Sequence, residues 1–278
     1  MITKPRLVRL PTRCLLLALV ALGEGTISNA RVAATCTSDF ERSHARVTAI
    51  AKNGVLALAD SRAAHLESVL LPAGSLDHAP DLPAGLAISE LGKLVSGREV
   101  VLATAAPAQD RYGRVRAQIF VQDGPRELWL QLTLLQRGLA RVSIAPDRRE
   151  CARDLYKAEG DARARKIGIW AERAYGVRTP AQAADAIGTF QIVEGRVVSV
   201  TRRGGRVYLD FRVDSTNKFV ATISPGDLKA FRQTGVDPLS YAGHTLRVRG
   251  WIERHIRPEV EIAIPEDIEM IEDAKPPA

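Results

Sequence analysis

The stretch Asp110–Phe120, DRYGRVRAQIF, decides how the first half of the chain reads. It opens as a polar turn, Asp-Arg-Tyr-Gly-Arg, and runs directly into a strand. An arginine placed just after a tight turn is well held and can serve a phosphate site. Upstream, ARVTAIAKNGVLALADSRAAHLESVLLPA (45–73) alternates apolar and polar residues, with turns at Lys52-Asn53-Gly54 and near Asp60-Ser61. That pattern predicts three short antiparallel strands. A proline-rich loop (72–85) follows, then GLAISELGKLVSG (85–97) as a helix ending at Gly97, and REVVLATAAPA (98–108) as another strand. Downstream, RELWLQLTLLQRG (126–138) reads as a helix with Leu128, Leu132 and Leu135 on one face and Gly138 just past its end. RRECARDLYKAEGDARARKIGIW (148–170) is a longer helix with an apolar stripe of Leu155, Ala158, Ala162 and Ile169.

Residues 171–189 hold no sustained period and read as a linker. Beyond them the pattern is β again. FQIVEGRVVSVTRRGGRVYLDFRV (190–213) is a strand, a Gly-Gly turn and a second strand. KFVATI, the short helix in SPGDLKAFRQTG, HTLRVRGWIER and EVEIAI complete the set. Five short strands with one helix between the third and fourth is the order of an OB-type barrel, and the first half has the same order. The fold class is therefore mostly β with α: a five-stranded barrel with helices at 45–170, then a small OB-like barrel at 190–272.

The 278 residues carry a formal net charge of +7. Residues 1–35 hold Lys4, Arg6, Arg9, Arg13 and Arg31 against Glu24, so +4 of it belongs to them and +3 to the rest. A surplus that small steers polyanions weakly. The opening segment reads as an export signal: a basic start, the apolar run CLLLALVAL, then the small residues of ISNARVAATC. The run is shorter than the roughly 20 residues a bilayer span needs. A buried N-terminal helix and a lipid anchor on Cys36 are the other readings, and Thr35 before the cysteine suits an anchor poorly. Export implies a periplasmic or secreted protein. Cys14 leaves with the signal, and Cys36 and Cys151 remain as an even pair in an oxidising compartment, either bridged or as free thiols. No Cys/His spacing suggests zinc.

Residues 45–170 resemble the staphylococcal-nuclease (thermonuclease) family. The resemblance rests on DRYGR entering a strand, on LTLLQRGLARV, and on the closing CARDLYKAEGDARARKIGIW. The second module is similar to the extra β-rich module of some exported relatives, through VYLDF and LRVRGWIE. The resemblance implies calcium-assisted phosphodiester hydrolysis, with carboxylates for the ion, a glutamate base and two arginines for the charged transition state. Matched residue by residue, the metal aspartates fall on Gly54 and Pro72, the first arginine on Glu67 and the base on Ser75. Arg114 alone corresponds. No carboxylate lies within 52–59 or 68–76, so a shift of register does not restore the set. Asp60, Glu67, Asp77, His78 and Asp81 are the nearby residues from which a relocated metal site could be built. No cofactor is expected, because the family's calcium ligands are absent.

Arg114 can face a phosphate, or pair with Asp110 or Glu67. In the second module Arg202, Arg203 and Arg206 at the hairpin, with Arg247 and Arg249 on one strand face, are the candidates for nucleic acid. That module holds thirteen basic and thirteen acidic residues over 188–278, so no net field favours polyanions. Trp251 and Phe211 read as core. The expected function is a thermonuclease-fold protein with most catalytic residues replaced, working as a binding module for single-stranded nucleic acid or another envelope protein. The competing reading is an active calcium-dependent phosphodiesterase with a relocated site.

Overall fold

The computed structural model describes residues 35–211 and 219–271; the export-signal reading of the N-terminal segment lies outside them, save Thr35. The first barrel begins with a long bent strand, β1 (Glu41–Ile50), whose Ala45 and Val47 point inward. Its first half pairs with β5 (Glu99–Thr104) and its second half with β2 (Leu56–Leu58), with a register shift between Val47 and Ala49 that makes the bend. β3 (Ala63–Leu66) follows, then the two-residue β4 (Val69–Leu70) and helix α1 (Asp81–Val95). β6 (Val115–Asp123) pairs antiparallel with β5 and parallel with β3, which closes a ring of five strands. Val47, Leu56, Leu91, Leu102 and Ile119 fill it and are fully buried.

The segment expected as one helix from Arg126 is two elements. Residues 126–129 fold back on β6 as β7, and only Leu130–Gln136 are helical (α2). The side-chain period of 126–129 fits either state. The pairing with β6 decides it, because Trp129 then stacks on Phe120 and donates its indole N–H to Gln118 at 2.9 Å. After the short β8 (Arg141–Val142), which pairs with β4, comes α3 (Ala152–Ala164). The expected long helix stops there, and Gly168–Ala171 is a 3₁₀ turn. The stop is tertiary in origin. Gly138 and Gly168 both have positive φ and meet backbone to backbone, with a Cβ on Gly168 falling 2.2 Å from the Gly138 carbonyl oxygen. The glycines of LTLLQRGLARV and of the closing CARDLYKAEGDARARKIGIW are the two sides of this contact.

Residues 171–189, read as a linker, are ordered in two further 3₁₀ turns and bury Tyr175, Pro180, Ala183 and Ala186. In the second barrel, β9 (Phe190–Arg196) and β10 (Ser199–Arg203) are separated only by Val197 and Val198, so together they form one bent strand. β10 pairs with β11 (Arg206–Asp210) and β11 with β12 (Val220–Ile223). Helix α4 (Leu228–Gln233) leads to β13 (Thr245–Arg254) and β14 (Pro258–Glu261). β14 lies parallel to β12 and antiparallel to β13, and β13 returns to β9. The strand order repeats that of the first barrel, with its helix in the same place. A strand missing from the sequence reading, β15 (Ile268–Ile271), adds to β13.

The barrels share a buried seam. Ile264 of the second module packs into the first core. Glu159 of α3, fully buried, ion-pairs with Arg249 of β13, which is 2 % exposed. Arg163–Glu269, Arg149–Glu266 and Tyr156–Asp267 flank that pair. Cys36 and Cys151 are disulfide-bonded, with Cα atoms 5.1 Å apart, tying the start of the described chain to the start of α3. No helix among the described residues is long and apolar enough to cross a membrane.

Candidate functional site

The turn that opens the sequence reading is organised by one carboxylate. Asp110 accepts from the Tyr112 amide at 2.8 Å, the Arg114 amide at 3.0 Å and Arg114 Nε at 2.7 Å. Burial pushes the Asp110 carboxyl up, but the bonds from the Arg114 amide and guanidinium and the Tyr112 amide outweigh it. The carboxyl therefore sits below its ordinary value. Tyr112 is exposed, and the guanidinium groups of Arg111 and Arg114 lie 4.8 and 5.0 Å from its ring centre. Of the two partners open to Arg114 in the sequence, it takes Asp110.

Glu67 goes elsewhere. Two residues along β6, Arg116 points to the same side as Arg114 and bonds Glu67 at 2.7 Å and Asp147 at 2.7 and 2.9 Å. The hydrogen bond from Arg116 holds Asp147 below the usual carboxylate range. His65, opposite Arg116 in the β3–β6 register, lies among these charges. Burial lowers its basicity, with Glu67 and Asp110 pulling up and Arg114 and Arg116 pulling down, so the ring is neutral near pH 7.

The positions where the metal and base residues would stand do not offer oxygens inward. Gly54 sits at φ +81°, and a Cβ there would fall 2.4 Å from Leu71 Cδ1. Pro72 is buried and Ser75 lies exposed on the 3₁₀ turn Gly74–Asp77. The nearby substitutes are each engaged or remote. Asp60 is forked by Arg62 at 2.7 and 2.9 Å. Asp77 is buried and takes Arg141 at 2.8 Å and the Ala73 amide at 2.7 Å. Asp81 accepts the Ser75 amide at 3.2 Å, and His78 is an exposed left-handed cap. Among the described residues no three His, Cys, Asp or Glu side chains converge as a metal-holding group. These residues do not fit a calcium ion.

The second-barrel candidates divide. Arg249 is inside the seam, bonded to Glu159 and, at 2.8 Å, to Glu269, with its guanidinium 4.5 Å from the Tyr156 ring centre. Arg247 bonds Glu194 at 2.5 Å and Glu269 at 3.3 Å. The strand alternation does put both on one side, but that side faces α3 and the acids of the second barrel. A nucleic-acid role for Arg249 is incompatible with its burial. Arg206 pairs with Glu261 at 2.9 Å, and Arg203 is exposed at the hairpin. Phe211 is core as read; Trp251 is instead half exposed, with its ring edge-on to Phe190.

Sequence reasoning missed the buried pairs Glu159–Arg249 and Arg141–Asp77. Glu159 had a signal: an acid four residues beyond Leu155, beside Ala158 and Ala162, interrupts an apolar stripe. Asp77 and Arg141 had none, since they are 64 residues apart.

The family model described as staphylococcal nuclease homologue matches residues 85–172. The match begins in α1, after Gly54, Glu67, Pro72 and Ser75, and it includes Arg114 and both contacting glycines. No curated protein matches the chain.

Proposed function

We propose that this chain, which carries a staphylococcal-nuclease-homologue domain of closed-barrel fold, is an exported, non-catalytic interaction protein. One observation carries the reading. Four carboxylates of the first barrel are bonded to arginines, Asp110 to Arg114, Glu67 and Asp147 to Arg116, and Asp60 to Arg62. A hard cation needs several free oxygens together, and those charges are already matched. Export rests on the N-terminal sequence pattern and accords with a disulfide, which persists in oxidising compartments. A protein partner accounts for the second barrel better than nucleic acid does, because Arg206, Arg247 and Arg249 are engaged by its own and its neighbour's acids.

The test is hydrolysis of denatured DNA and of RNA with calcium added, for the native chain and an Arg114→Ala variant. Neither is expected to turn over substrate above background, and the two should not differ. Calcium-dependent cleavage lost on the substitution would establish the competing phosphodiesterase reading.

A further inference from the structure

Assigning partners to the second barrel's arginines leaves a remainder. Arg206, Arg247, Arg249 and Arg257 each hold a carboxylate. Arg202 and Arg203 on β10, Arg232 at the end of α4 and Arg254 at the end of β13 are exposed, with no carboxylate partner among the described residues. Arg202 and Arg232 line one cavity of about 330 Å³, between the β10–β11 hairpin, α4 and the 3₁₀ turn Pro238–Tyr241. Val207, Leu228, Phe231 and Val236 also line it, and Leu239, 47 % exposed, stands at its edge. The acid among the lining residues, Asp237, caps its own turn by accepting the Leu239 amide at 3.0 Å.

We propose that this cavity binds a peptide segment of a partner protein in which an apolar side chain is flanked by aspartate or glutamate. The inference rests on reading the chain as an interaction module and gives that module a partner chemistry. The accessible apolar surface of Val236 and Leu239 beside the guanidinium groups of Arg202 and Arg232 matches an aliphatic side chain next to carboxylates, which arginine binds through paired hydrogen bonds. A nucleic-acid strand would feel the same rim charge. It would find no ring to stack on, because Phe231, the aromatic residue in the lining, is fully buried.

The experiment uses the whole chain, disulfide formed, with a fluorescein-labelled hexapeptide Glu-Asp-Leu-Leu-Asp-Glu. A Glu-Asp-Ser-Ser-Asp-Glu peptide and an oligothymidylate serve as comparisons. The leucine peptide should bind, with the serine peptide weaker by about tenfold or more. Arg202→Glu with Arg232→Glu should weaken it by a similar factor, and Leu239→Ser by less, with melting temperatures unchanged. Equal binding of both peptides, tighter binding of the oligothymidylate, or binding of none overturns the proposal. Cleavage of the oligothymidylate is followed in parallel. Turnover would sink the interaction-module reading, whereas failed peptide binding without turnover sinks only the cavity assignment.

Discussion

At the scale of single residues, the proposed non-catalytic reading turns on more than one carboxylate. Gly54 occupies a left-handed turn position against Leu71 Cδ1. Putting an aspartate there strains the backbone and pushes Leu71. Gly54→Asp should cost about 1–3 kcal/mol and give no calcium-dependent rise in melting temperature. A clear rise on adding millimolar calcium would show that the turn still aims at an ion site. Glu67 shows the same economy. It stands where an arginine would be expected, and Arg116 from the facing strand supplies the cation instead. The sequence did not show that Arg116 bonds both Glu67 and Asp147, because three segments meet there.

At the scale of elements, α3 meets β13, the 3₁₀ turn Pro265–Asp267 and β15 at the seam, and the acid of that turn gives it a pH dependence. Burial pushes the Asp267 carboxyl from its ordinary 3.8 up to about 6, against the Tyr156 hydroxyl and Arg249, which favour its charged form, and with Glu266 and Glu159 adding to the rise. Between those two values the folded protein holds a proton the unfolded chain has released. This contribution to stability is full below about 3.8 and is lost as pH rises through about 6. Asp267→Asn keeps an oxygen for Tyr156 and carries no charge to bury. Its melting temperature should exceed the native one by about 2–4 °C at pH 8, with the gain shrinking towards pH 4. A gain independent of pH would mean that the carboxyl is already solvated.

At the scale of the whole molecule, two barrels of one topology are joined as a single body by Ile264, the Glu159–Arg249 pair and the turns of 171–189. Glu159 Oε1 also accepts the Val142 amide at 3.2 Å, so one carboxylate ties α3, β8 and β13 together. Removing it leaves a guanidinium buried without its nearest partner. Glu159→Ala should destabilise by about 3–5 kcal/mol, and the double change Glu159→Leu with Arg249→Met should recover most of that loss. Calorimetry of the native chain should show one transition; two resolved transitions, the second unaffected by Glu159→Ala, would show the barrels fold separately.

Order along the chain was enough to establish two five-stranded barrels, each with a helix after its third strand. Those are statements about alternation, turn residues and residue type, which local sequence carries. The split of 126–136 into strand and helix, the end of α3 at the Gly138–Gly168 contact, and the addition of β15 depended on what each segment packs against. So did the fate of the arginines. Arg247, Arg249 and Arg202 look alike as residues of strands, yet the first two are matched by carboxylates and the third stands at a cavity rim. Charge is visible in a sequence, but its neutralisation depends on distances of a few ångströms between residues far apart in the chain, and folding alone sets those.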